Sequence, residues 1–205
     1  MSLQTVYAVL LFSLVMGLTP GPNNVMLASS GARFGVVRTL PHLAGVSIGF
    51  PVMVLLVGLG LASILLASPL LQLVMKIAAS AYLLWLAWQI GSSSTQAADS
   101  GAARPMGFLQ AAAFQWVNPK AWLIAVGAIS AYTNGAGAAL YLQVAIIALI
   151  SIGVTFVSTL TWTAFGAAIR RWLRSPRALK AFNLAMALLL VASTVPILIE
   201  IRDGL

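Results

Sequence analysis

Two short runs hold most of the chemistry available to this chain. The first is Thr19-Pro20-Gly21-Pro22-Asn23-Asn24 and the second is Asn118-Pro119-Lys120, each set inside a long apolar stretch. Proline removes a backbone donor and clashes with the preceding turn, so two prolines flanking a glycine stop a helix. Inside a bilayer the carbonyls freed by such a stop need partners, which confines the break to a protein-lined or watery cavity. A helix restarting after Pro22 presents free N–H groups and a positive dipole end, a seat for an anion such as a carboxylate. Asn23 and Asn24 stand at that seat.

Lys120 is the sharpest single residue. It lies about 13 residues into its apolar stretch, which at about 1.5 Å per residue is about 20 Å into a core about 30 Å thick. A lysine at that depth costs at least about 2.5 kcal/mol on insertion scales unless it finds a partner or water. The only acids are Asp99, Glu200 and Asp203, none of them deep in an apolar run. Backbone carbonyls, Asn or Gln side chains, water or a bound anion must therefore face Lys120. Two uses compete: holding a substrate carboxylate together with Asn23 and Asn24, or capping carbonyls freed by Pro119. His42, the single histidine, follows Pro41. It is the titratable group available to carry a proton, although an ordinary hydrogen-bonded histidine near the interface is the plainer reading.

The residues also exclude chemistry. With no cysteine, disulfides, thiol redox steps and thiolate metal sites are ruled out. No carboxylate pair or metal-ligand cluster is spelled out, so neither an enzymatic centre nor a metal or other cofactor is expected. There is no P-loop lysine and hence no support for an ATP-driven pump. The net charge is +8, but five of the eleven cations lie between Arg170 and Lys180. That clustering reads as a positive cytoplasmic face rather than a nucleic-acid surface.

Elements that could position these residues follow from composition. Of the 205 residues 61% are hydrophobic and 7% charged, against about 25% charged in a soluble domain. The lipid bilayer is the partner that resolves this imbalance. A span needs about 20 apolar residues, and six candidates run roughly 4–31, 40–66, 69–91, 106–132, 138–168 and 179–200. The one loop of soluble character, 92–105, divides a single transmembrane domain, 1–205, into halves of about 1–91 and 106–205. Residues 1–18 lack a basic flank and lead into Pro-Gly-Pro, so they read as a retained helix rather than a signal peptide.

Arg33 and Arg38 in the first loop, Arg104 in the third and the Arg170–Lys180 cluster in the fifth place all odd loops in the cytoplasm, with both termini outside. Trp85, Trp88 and Trp172 suit interfacial anchoring, and Lys76 suits snorkelling to the interface. Gly45 and Gly49 form a small-residue face for close helix packing. Each break lies in the first helix of its half, and halves of three spans insert with opposite orientation. The expected fold is an all-α integral membrane protein with six transmembrane helices as two three-helix inverted repeats, helices 1 and 4 broken. Paired breaks at corresponding positions point to a transporter site near the midplane.

Thr-Pro-Gly-Pro-Asn-Asn at 19–24, followed by Ser29-Ser30-Gly31, resembles the first-helix signature of the LysE/RhtB family of amino-acid exporters. Ala44-Gly45-Val46-Ser47-Ile48-Gly49-Phe50 resembles its second helix, and Ala81-Tyr82-Leu83-Leu84-Trp85-Leu86-Ala87-Trp88 its third. Gln115-Trp116-Val117-Asn118-Pro119-Lys120-Ala121 is similar to its fourth-helix motif. The resemblance implies efflux of amino acids or close derivatives across a bacterial cytoplasmic membrane, driven by an ion gradient. Many members carry Asp where this chain has Asn23. Asn-Asn looks most like the branch exporting cysteine and O-acetylserine, and loss of that acid argues against a strongly cationic substrate. The competing class is a channel or accessory membrane subunit, separable by saturable, trans-stimulated flux. A homodimer is compatible with so small a bundle.

Overall fold

The computed structural model describes residues 1–92, 104–134, 136–170, 172 and 175–203. Most of the expected polar loop, with Asp99, lies outside the described residues, as do Arg171 and Arg174. The described residues are helical and contain no strand: α1 (Leu3–Leu18), α2 (Pro22–Leu56), a π-helical segment (Val57–Leu61), α3 (Ala62–Leu66), α4 (Pro69–Gly91), α5 (Phe108–Phe114), a 3-10 turn (Gln115–Val117), α6 (Pro119–Tyr132), α7 (Ala138–Ile169) and α8 (Pro176–Asp203).

One device starts four of these helices. Pro22, Pro69, Pro119 and Pro176 each open a helix, where the missing N–H costs nothing and the fixed φ is already helical. Polar caps precede three of them. Ser68 Oγ accepts from Leu71 N at 3.3 Å, Asn118 Oδ1 from Lys120 N at 3.2 Å and Ser175 Oγ from Ala178 N at 3.1 Å. The prolines that end one helix thus begin the next.

A straight helix of the length of α2, 35 residues, would be about 52 Å long, well beyond a core of about 30 Å. Gly35 prevents this. Its φ of 78° and ψ of 171° lie where a side chain is strained and glycine is not. The arms 22–34 and 36–56 fold back on each other about that residue, so that Thr39 Oγ1 lies 3.4 Å from Ser30 Oγ. In a straight helix those two positions would stand about 13 Å apart. The run Pro22–Ile64 and the helices Pro69–Gly91, Ala138–Ile169 and Pro176–Asp203 are each long and apolar enough to cross a membrane, while Leu3–Leu18 is apolar but shorter. Leucine, valine, isoleucine and phenylalanine side chains stand widely exposed along them, the surface that lipid would cover. Trp85, Trp88 and Trp172 are exposed too.

Helix pairs approach closely where glycine permits. A Cβ on Gly31 would strike the carbonyl oxygen of Thr163, and one on Gly166 that of Ala28, so the first arm of α2 lies backbone to backbone with α7. The expected small-residue face is used against α5: a Cβ on Gly45 would strike the Phe108 carbonyl, and one on Gly49 would come within 2.6 Å of Ala112 Cα. Two apolar clusters flank this contact region. One gathers Val9, Phe50, Met53, Ala125 and Ile147. The other gathers Val25, Met26, Leu83, Phe114 and Leu190. Lys76 of α4 reaches Glu200 of α8 at 3.0 Å, an ion pair rather than a lone snorkelling cation.

Candidate functional site

The first break spans Thr19 to Gly21. Thr19 (φ −63°, ψ 143°) and Gly21 (φ −174°, ψ 175°) are extended, so the carbonyls around them have no helical donor. Each finds a side chain instead. Gly17 O accepts from Asn24 Nδ2 at 2.8 Å and from Ser158 Oγ at 2.7 Å. Leu18 O accepts from Trp162 Nε1 at 3.3 Å, and Thr19 O from Asn24 Nδ2 at 2.7 Å.

Lys120 completes the set from the other half of the chain. Its Nζ donates to Thr19 O at 2.6 Å, Thr19 Oγ1 at 2.8 Å and Pro20 O at 3.2 Å, which uses all three ammonium protons. Sequence reasoning left open whether Lys120 caps carbonyls freed by its own proline. The carbonyls it caps belong to the distant break. Gly21 makes the approach possible, because a Cβ there would sit 2.6 Å from Lys120 Cδ.

The second break is tighter. Gln115–Val117 turn as a 3-10 helix, and Asn118 alone is extended, at φ −88° and ψ 108°. Its freed groups are satisfied nearby: Asn118 N reaches Gln115 O at 3.3 Å, and Trp122 Nε1 donates to Trp116 O at 2.9 Å. The two breaks are also tied by a reciprocal amide pair, Asn23 Nδ2 to Gln115 Oε1 at 2.8 Å and Gln115 Nε2 to Asn23 Oδ1 at 3.2 Å. Gln115 is fully buried.

Beside these contacts lies a cavity of about 50 Å³, room for a few waters. Gly21, Asn23, Asn24, Asn118 and Lys120 line it, so the structure brings five of the expected site residues to one space; Thr19, Pro20, Pro22 and Pro119 shape the breaks without lining it. His42 stands apart. It is 2% exposed, and neither ring nitrogen has a hydrogen-bond partner among the described residues. It lies one helical turn from Val46, which does line the cavity.

Sequence reasoning missed the cavity's third wall. Thr155, Ser158 and Thr159 of α7 face it, with Val46 and Phe50 of the second arm of α2. Thr159 Oγ1 donates to Phe156 O at 3.0 Å and lies 3.0 Å from Ser47 Oγ. The signal was present: Ser151, Thr155, Ser158, Thr159 and Thr163 recur every three or four residues along an otherwise apolar run, one face of a helix. Gln115 had no such signal, since a lone amide beside a break does not reveal its partner.

Among described His, Asp and Glu residues no group could hold a metal ion. What the arrangement offers is hydrogen-bonding capacity around a small enclosed space, with one cation at its edge. That arrangement suits holding a small polar solute.

The family description "LysE type translocator" matches residues 14–200. The chain is 33% identical over 186 residues to the cysteine/O-acetylserine efflux proteins of Escherichia coli O9:H4 (strain HS) and Escherichia coli (strain K12), covering 91% of this chain and 93% of each relative. The protein of the same name from Shigella flexneri serotype 5b (strain 8401) is similar to the same extent. No solved structure matches the chain.

Proposed function

The chain belongs to the LysE type translocator family, and on that premise we propose that it is a secondary carrier exporting small neutral amino acids or derivatives, of the cysteine and O-acetylserine kind, from the cytoplasm. The observation that carries this reading is the bridge from Lys120 in the second broken helix to Thr19 and Pro20 in the first, at the edge of a cavity lined by Asn23, Asn24 and Asn118. A carboxylate is a better acceptor for an ammonium than a neutral carbonyl, because its full negative charge adds direct Coulomb attraction to the hydrogen bond. An entering carboxylate would draw Lys120 from Thr19 and Pro20 and settle near the start of α2 at Asn23 and Asn24. The same exchange loosens the tie between the two broken helices, so loading and rearrangement become one event.

The carrier then alternates access as two inverted three-helix halves, about 1–91 and 106–205 within one domain, rock about this site. Export is driven by a proton moving inward, carried by His42 or by the substrate. Both termini face outward, and a homodimer is compatible with the lipid-facing surface. Counterflow of labelled cysteine in proteoliposomes tests the carrier: saturable, trans-stimulated uptake is expected, whereas unsaturable leakage would mark a channel. An imposed pH gradient, acid on the side from which protons move inward, is expected to accelerate export. Flux indifferent to that gradient would remove the proton.

A further inference from the structure

The cavity wall carries two kinds of unspent hydrogen-bonding capacity. Donors come from Asn118, whose Oδ1 is committed to Lys120 N. Its Nδ2 has no partner among the described residues, although the residue is 2% exposed and lines the cavity. The first-turn N–H groups of α2 at Asn23 and Asn24 add to them, the earliest helical bond being Val25 N to Gly21 O. These suit a carboxylate.

The acceptors are less obvious. Asn24 donates from Nδ2 to two carbonyls, Gly17 O and Thr19 O, so its amide orientation is set and Oδ1 must point elsewhere. That oxygen accepts nothing among the described residues, and Asn24 is 6% exposed. Ser158, 3% exposed, gives its one proton to the same Gly17 O. Toward a ligand its oxygen can only accept. Both side chains anchor on one carbonyl and both line the same cavity. Among the described residues no carboxylate lines the cavity.

We propose that Asn24 Oδ1 and Ser158 Oγ receive the substrate's α-ammonium group, making α7 the wall that selects amino acids over other carboxylic acids. This rests on the carrier reading above for the identity of the ligand. Two neutral oxygens suit a zwitterion, whose own carboxylate balances its ammonium, and they hold that ammonium loosely enough to release it. A carboxylate in their place would favour a dibasic substrate and leave a charge uncompensated once the cavity emptied.

The test is equilibrium binding to the purified full-length protein, by calorimetry under reducing conditions, of L-cysteine and of 3-mercaptopropionate, which lacks only the ammonium. The wild type is expected to prefer cysteine by about tenfold or more, the size expected for hydrogen bonds to a charged group. Ser158→Ala should weaken cysteine binding about tenfold and leave 3-mercaptopropionate unchanged. Ser158→Thr keeps the acceptor and the preference. Should the alanine variant not fold, Ser158→Cys retains the volume with a weak acceptor and must show the same selective loss. Equal weakening of both ligands, or a wild type that binds them equally, overturns the proposal. Selective binding without counterflow would uphold this subsite and sink the carrier reading instead.

Discussion

The two broken helices look alike in sequence and behave differently in the fold. At the first break three residues leave the helix, and the carbonyls from Gly17 to Pro20 recruit Asn24, Ser158, Trp162 and Lys120. At the second, one extended residue suffices, because the 3-10 turn and Trp122 absorb its loose ends. The first break therefore collects donors, and the second, once satisfied, has a cation to spare. The pair is complementary rather than duplicated. Complementarity of this kind ties the two halves by bonds that a ligand with a better acceptor can take over.

That contrast can be broken most severely at Lys120. Lys120→Met removes the donor to Thr19 O, Thr19 Oγ1 and Pro20 O together. Counterflow in proteoliposomes is expected to vanish, and the unfolding free energy in detergent to fall by about 2–3 kcal/mol, since charged hydrogen bonds are lost and acceptors are stranded. Equal counterflow in this variant would show that the bridge is only scaffolding. Gly21→Ala comes next. Its Cβ would meet Lys120 Cδ at 2.6 Å, pushing the lysine off the break, so export should slow about tenfold with a loss of about 1–2 kcal/mol.

Smaller effects sharpen the comparison. Asn118→Ala removes the cap of α6 and should cost about 1 kcal/mol in thermal unfolding, with Asn118→Ser recovering most of it. Asn23→Ala and Gln115→Ala, measured singly and together, should reveal a coupling of about 1 kcal/mol across the two breaks; additive costs would mean that the amide pair contributes nothing. Trp122→Phe strands only the Trp116 carbonyl. It should cost less than about 1 kcal/mol and leave transport rates intact, as befits a break satisfied within its own helix.

Much of this was legible beforehand because it depends on local rules. Proline removes a helical donor, so Pro20-Gly21-Pro22 and Asn118-Pro119 marked both breaks, although Pro41, Pro51 and Pro196 sit inside helices that run on. Apolar run length placed some helices closely, as at 69–91 and Pro69–Gly91, but the expected spans 4–31 and 40–66 are divided otherwise, at Thr19–Gly21 and with Gly35 kinking a continuous α2. The glycine pair in the second arm of α2 was readable as a packing face, though α5 as its partner was not. Lys120 was readable as a cation in need of acceptors. Its acceptors, about 100 positions earlier in the chain, were not.

By itself, then, the sequence determined that the chain is built of apolar helices, where two of them must stop, and that no carboxylate or thiol would share their depth. Tertiary structure alone decided who satisfies whom. It sent Lys120 and Asn24 to the carbonyls of the first break, paired Asn23 with Gln115, and brought the hydroxyl face of α7 against the cavity. The reason is physical. A helix break is written in backbone sterics within a few residues, but the donor that meets each freed carbonyl is whichever side chain the packing of other helices brings within about 3 Å.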